Sequence, residues 1–160
     1  MDFFKAAERL MTMDDATWEH HANPLSVYTR FTILPLLSLA IWSRVWLGWW
    51  CLIPIALTIV WTWYNPRAFG KPLSTKNWAS RVTLGERHYL NRKSHPIPAH
   101  HNGILTATHV LSVIGLIALT YGLIVLNLWA TIFGVSIIMI AKTWFCDRMV
   151  WLYMETHPDG

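Results

Sequence analysis

The chain has 160 residues, of which 54% are hydrophobic and only 14% charged, with a formal net charge of +4; soluble domains carry roughly 25% charged residues. With 11 Trp, 8 His and a mean hydropathy of +0.32, this composition excludes intrinsic disorder and favours a membrane protein over a plain soluble enzyme. The sequence holds no nucleotide-binding, protease, kinase or zinc-finger motif.

At the N-terminus Phe3, Phe4, Ala7, Leu10 and Met11 recur at helical spacing with Lys5, Glu8 and Arg9 between them. This pattern predicts an amphipathic helix in the membrane interface, or one packed on the cytoplasmic end of the bundle. Asp2 and Lys5 open the segment and no apolar stretch leads to a small-residue cleavage site, so no secretory signal is expected. Asp14 and Asp15 suit the N-cap and first turn of a short helix through Trp18 and His21, stopped by Asn23-Pro24. Asn65-Pro66 repeats that dipeptide and reads as helix punctuation.

Between positions 31 and 64 Arg44 is the one residue expected to be charged, and between 103 and 141 there is none, His109 being the single imidazole. A bilayer core of about 30 Å takes about 20 helical residues, so one helix through either block would overshoot by roughly 20 Å. Each block therefore reads as a helical hairpin. The first has spans at 27–42 and 46–64, turning near Ser43, Arg44 and Gly48 beneath Trp42, Trp46, Trp49 and Trp50. Its spans are short, and a re-entrant hairpin is the alternative. The second has spans at 104–125 and 128–145, broken at Asn127 with Trp129 as anchor. Thr108, Ser112, Gly115 and Gly122 on one span, and Ala130 and Gly134 on the next, predict close helix contact.

The segment between the hairpins carries Arg67, Lys71, Lys76, Arg81, Arg87, Arg92 and Lys93 against the single acid Glu86. The positive-inside rule puts this loop and both termini in the cytoplasm. Trp78, Val82 and Tyr89 on one face predict an interfacial helix over roughly 75–91, and His95-Pro96-Ile97-Pro98 a stiff, extended lead into His100 and His101. Cys51 and Cys146 fall near opposite ends of their spans and neither has a C-x-x-C partner, so no disulfide is expected.

The expected fold class is thus all-α: an integral membrane four-helix bundle of two transmembrane hairpins, with interfacial amphipathic helices on the cytoplasmic side. The organisation is an N-terminal segment 1–26, a hairpin 27–64, a basic loop 65–102, a hairpin 103–146 and a tail 147–160, in a multi-pass protein of the cell membrane.

On this topology His20, His21, His88, His95, His100, His101 and His157 lie near one membrane face, with His109 one to two turns inside the third span. The acids share that side. Imidazoles mixed with carboxylates suit zinc or non-haem iron, with copper less suited. The candidate metal ligands are His21, His88, His100, His101 and His109, with Glu86 or Asp147 as base. No H-x-x-x-H or H-E-x-x-H pair sets two ligands on one helical face, so the ligands must converge from separate segments. The alternative is histidines that snorkel or meet lipid phosphate. A haem fits poorly, because only His109 lies within a span and a second axial ligand would have to come from His20, His21 or Met149 at the membrane edge. Asp147 has a second reading as the ion-pair partner of Arg81 or Arg87, while Lys142 and Arg148 snorkel to the surface. Arg30, Arg67, Arg81 and Arg87 are the candidate anchors for lipid headgroups.

Trp18-x-x-His21-Ala22-Asn23-Pro24-x-Ser26-Val27-Tyr28-Thr29-Arg30, Asn65-Pro66-Arg67, Asn77-Trp78-Ala79-Ser80-Arg81, Leu84-Gly85-Glu86-Arg87 and Pro96-x-Pro98-Ala99-His100-His101 resemble the blocks of an uncharacterised family of small prokaryotic polytopic membrane proteins, a domain of unknown function. The resemblance covers most of the chain and implies no reaction, substrate or cofactor. Three functions fit these features: a metal-dependent membrane enzyme acting on a lipid-like substrate, a non-enzymatic accessory or lipid-binding subunit, and a small transporter working as an oligomer. The expected partners are membrane lipids and either a second copy or another membrane subunit, with no nucleic acid.

Overall fold

The computed structural model describes residues 15–157. These form helices and no strand: α1 (Asp15–His21), α2 (Pro24–Arg30), α3 (Ile33–Trp42), α4 (Arg44–Leu47), a 3-10 turn (Gly48–Cys51), α5 (Leu52–Ala68), α6 (Trp78–Leu90), α7 (His100–Val125) and α8 (Leu128–Thr156). The amphipathic helix expected around Phe3 to Met11, and the Asp14 cap, lie outside the described residues. The described residues divide into two compact units, one of 15–30, 63–102 and 146–157, the other of Phe31–Thr62 and Gly103–Phe145. Neither cysteine is in a disulfide, and both are buried.

Three helical stretches, Pro24–Ala68, His100–Val125 and Leu128–Thr156, are long and apolar enough to cross a membrane. The first is not one helix. α3 has 10 residues and α5 has 17, each below the roughly 20 that span a bilayer core. The expected spans 27–42 and 46–64 are therefore redrawn, and proline explains where. Pro24, Pro35 and Pro54 each fall in the first turn of a helix, where a missing N–H costs no internal bond. Pro35 cannot bond the carbonyl of Phe31, so the helix that ends at Arg30 restarts at Ile33. Gly48, at φ +54°, breaks the path between α4 and the 3-10 turn.

In the second unit the apolar side chains point outward. Ile117, Ile124 and Trp129 are 65%, 68% and 77% exposed, a surface suited to hydrocarbon and not to water. Its interior mixes small and polar groups with a few apolar ones: Thr108, Gly115, Gly122, Thr131 and Gly134 are buried, with Leu105 and Leu119 beside them. A Cβ at Gly122 would stand 2.5 Å from the Thr131 amide nitrogen, and one at Gly134 would overlap the Leu119 backbone, so α7 and α8 meet backbone to backbone. Trp42 does not simply mark the interface: its indole donates to Thr131 Oγ1 at 3.2 Å and ties α3 to α8. Lys142 lies over the ring of Phe31, 4.7 Å from its centroid.

The turn between α7 and α8 is chemically specified. Leu126 takes a left-handed φ of +56°, and Asn127 N donates to Gly122 O at 2.9 Å, which closes a Schellman motif. The Asn127 side chain then accepts from Ala130 N at 2.9 Å and caps α8. Arg44, the one charge expected between 31 and 64, donates to the carbonyls of Leu123 and Ile124 at the end of α7, where the helix dipole is negative.

In the first unit the helix expected over 75–91 forms as α6, Trp78–Leu90, and packs closely within the unit. Ala79, Ser80, Val82, Thr83, Gly85 and Tyr89 are buried and occupy more than half its circumference at about 100° per residue. Small residues make this feasible: Gly85 packs on the Met149 carbonyl, where any Cβ would clash. Asn77 caps the helix by accepting from Ser80 N at 2.9 Å, while Ser80 Oγ donates to the Ala22 carbonyl at 2.6 Å. Asn65 and Pro66 do not punctuate a helix, since α5 continues to Ala68. Asn65 is fully buried, and its side chain accepts from Ser26 Oγ at 3.0 Å and donates to Thr29 Oγ1 at 2.7 Å, joining α5 to α2.

Candidate metal centre

The Pro96 to Pro98 lead delivers His100 and His101 to the first turn of α7, where His101 N donates to the Pro98 carbonyl at 3.1 Å. From the far end of the sequence, α8 brings Glu155. Its formation depends on α8 continuing past the uncharged block: Cys146, Met149, Val150 and Leu152 are all buried, and they carry the helix through to Thr156. Glu155 Oε2 lies 2.9 Å from His101 Nε2 and 3.1 Å from His100 Nε2. The two rings tilt together, with centroids 4.4 Å apart. His101 is 1% exposed, whereas His100 and Glu155 reach solvent.

All three donor atoms lie within 4.8 Å of one another, as those of no other group of three His, Cys, Asp or Glu do among the described residues. Two imidazoles and one carboxylate match the donor sets of catalytic zinc and of facial-triad iron, each of which keeps a coordination position open. Zinc bonds of about 2.0–2.2 Å put neighbouring ligand atoms roughly 3.4 Å apart; the two His–Glu155 separations are close to this, and the two imidazole donors lie within 4.8 Å of each other. The residues therefore fit a divalent ion. His101 Nδ1 is buried with no hydrogen-bond partner among the described residues, so the contact with Glu155 is the hydrogen bond that orients this ring.

The other expected ligands sit elsewhere. Arg30 Nη1 donates to His21 Nε2, which occupies that nitrogen's lone pair. His88 neighbours His95 and His157. His109 belongs to the other unit, with Nδ1 on the Leu105 carbonyl and its ring against Phe145. Neither expected base joins the cluster. Glu86 is a counter-charge to Arg30, and Asp147, instead of pairing with Arg81 or Arg87, accepts weakly from Trp78 Nε1 at 3.5 Å. Of the haem alternatives, Met149 is fully buried against Gly85 and His20 Nδ1 lies 3.0 Å from the Phe69 carbonyl.

The arginines expected to hold headgroups have local partners: Arg67 donates to the Trp63 carbonyl at 2.7 Å and covers its ring, and Arg81 reaches the Met154 sulfur at 3.6 Å. Glu19 pairs with Lys71 at 2.5 Å, and that hydrogen bond holds its carboxyl below the usual carboxylate range. Glu155 escaped the sequence reading because it follows the last apolar block. The signal present was the apolar spacing of Cys146, Met149 and Tyr153, which prolongs the helix and carries Glu155 with it.

No curated protein and no solved structure matches the chain. The model of a family of unknown function, DUF6653, matches residues 5–160, and the chain belongs to that family.

Proposed function

We propose that the protein is a multi-pass integral protein of the cell membrane that binds a divalent transition ion, zinc or ferrous iron, through His100, His101 and Glu155. The observation that carries this reading is the convergence of three ligand-type atoms within 4.8 Å from residues more than 50 positions apart in sequence. The membrane reading draws on the three apolar helical stretches. Orientation follows the seven Lys and Arg in the 65–102 segment, against Arg44 alone in the 31–64 block, and places that segment and both termini in the cytoplasm. With three protein ligands the ion keeps a position for substrate. His100 and His101 begin the helix whose later turns are uncharged from Gly103 to Val125, which favours a membrane-borne, lipid-like substrate.

Elemental analysis of the full-length protein, purified in detergent without chelators, tests the reading. About one equivalent of zinc or iron is expected in the wild type, and a loss of most of it in His101→Ala and Glu155→Ala. Folded wild type that lacks both metals and takes up added Zn²⁺ no better than Glu155→Ala would refute it. The cluster would then be a hydrogen-bonded tie between the start of α7 and the end of α8.

A further inference from the structure

A second cluster in the same unit uses none of these ligands. α6, the residues after it and the end of α8 surround an open cavity of about 410 Å³ whose polar lining is Arg87, His88, Asn91, His95, Thr156 and His157, with no Asp or Glu. His88 is its hub, with ring centroids 6.1 Å from His95 and 5.9 Å from His157. Its Nε2 is buried and has no hydrogen-bond partner among the described residues. The surrounding groups are held in place. Asn91 Nδ2 donates to the Arg87 carbonyl at 3.1 Å, the Tyr153 ring stacks on His157 at 4.8 Å, and His157 Nδ1 lies 2.9 Å from Thr156 Oγ1.

Three imidazoles could gather round a metal or round an anion, and geometry separates the two. Rings bound to one tetrahedral zinc have centroids about 5 Å apart, closer than either separation here. The cavity also has the volume of a small-molecule site, roughly 300–1,000 Å³, far beyond the needs of a bare ion. A lining of an arginine, three imidazoles, an amide and a hydroxyl, without any carboxylate, is complementary to an anion, and guanidinium is matched to phosphate oxygens in particular. Burial, then the charges of His157 and His95, hold His88 below its usual 6.5, a mutual repulsion that a bound anion would relieve.

We propose that this cavity binds a phosphorylated ligand, with Arg87, His88, His95 and His157 facing its phosphate group. The site is independent of the metal centre. A phosphate of this kind can belong to a lipid headgroup or to a soluble phosphate ester. The test titrates inorganic phosphate, glycerol 3-phosphate and short-chain phosphatidic acid in mixed micelles into the full-length detergent-purified protein by calorimetry.

Wild type is expected to bind at least one of the two phosphate esters, and His88→Gln and His157→Gln are each expected to weaken binding about tenfold or more. Asn91→Asp, a change of equal size at an exposed position, sets a carboxylate in the lining and is expected to abolish binding while the circular dichroism and the metal content stay unchanged. Phosphatidic acid binding about tenfold tighter than glycerol 3-phosphate identifies the lipid source, and equal affinities identify the soluble one. If no probe binds wild type, or if Asn91→Asp and the histidine variants bind as tightly as wild type, the proposal is overturned.

Discussion

Glycine to alanine at three positions of one helix is expected to change stability in both directions. Gly103, Gly115 and Gly122 all lie in α7, so the substitution has a common benefit, the lower backbone entropy of alanine, worth about 0.5–1 kcal/mol. What differs is the space. A Cβ at Gly103 meets nothing within 4 Å, and Gly103→Ala should stabilise by that full amount. At Gly115 the Cβ would meet Ile138 Cγ1 at 2.8 Å and the Gly134 carbonyl oxygen at 3.1 Å, a milder clash than at Gly122, so the loss should exceed the gain by less than it does there. At Gly122 the obstacles are Thr131 N at 2.5 Å and Thr131 Oγ1 at 2.6 Å. The backbone cannot rotate aside, and α7 and α8 must part by about 0.9 Å to restore an ordinary contact of 3.4 Å. Overpacking of this kind costs about 1–3 kcal/mol, and the same displacement would strain the Trp42 to Thr131 hydrogen bond. Net of the backbone gain the cost is about 0–2.5 kcal/mol, and at about 2–4 °C per kcal/mol for a chain of this size, Gly122→Ala should lower the unfolding temperature by up to roughly 10 °C. Thermal unfolding in one detergent, followed by tryptophan fluorescence and by loss of monodisperse protein, reads the series. Equal shifts at Gly103 and Gly122, or a rise at Gly122, would refute the backbone contact between α7 and α8.

Asn65→Ala should destabilise by about 1–3 kcal/mol, because it removes the acceptor of the buried Ser26 hydroxyl and the donor to Thr29 Oγ1; a denaturation midpoint equal to wild type would contradict this. Leu126→Gly should stabilise by about 1 kcal/mol by relieving the left-handed backbone at φ +56°, measured as a rise in the same thermal transition. The pH dependence of stability carries the His88 signature. Its pKa is lowered in the fold from the usual 6.5 by burial first and then by His157 and His95. Above 6.5 both folded and unfolded states hold it neutral and it contributes nothing. Below 6.5 the unfolded chain takes up the proton more readily, so stability falls as the pH drops. Unfolding scans from pH 8 to pH 5 in phosphate-free buffer should therefore show a smaller acid loss in His88→Gln than in wild type, and parallel curves would show that His88 does not report this burial.

What the sequence makes legible is what repeats locally. The uncharged block from 103 to 141 needs a break, and Asn127 is the residue that can cap a following helix, so the ends at Val125 and Leu128 follow from composition and capping chemistry. The small residues of α7 and α8 likewise announce a close face. Partners distant in sequence are not legible in this way. Arg44 reads as the lone charge at a hairpin turn until the Leu123 and Ile124 carbonyls are placed before it. Asn65 reads as punctuation until Ser26 and Thr29 appear beside it.

The candidate site shows the same division. His100 and His101 are conspicuous as an adjacent pair, but the carboxylate they share is neither Glu86, the nearest acid before them in sequence, nor Asp147 at the end of the apolar block. It is Glu155, and its selection is a matter of helix phase. At 100° per residue, Glu155 stands 80° from Asp147 around α8 and about 12 Å further along the axis, so the two acids serve different neighbours: Trp78 receives one and the histidine pair the other. Moving the carboxylate is thus a stringent check on the centre. Glu155→Gln combined with Thr156→Glu keeps a carboxylate in the tail but turns it by 100° away from the imidazoles, and metal should be lost as completely as in Glu155→Ala. Retention of one equivalent of metal by that double variant would mean that the tail supplies charge without geometry, and the three-ligand centre would have to be abandoned.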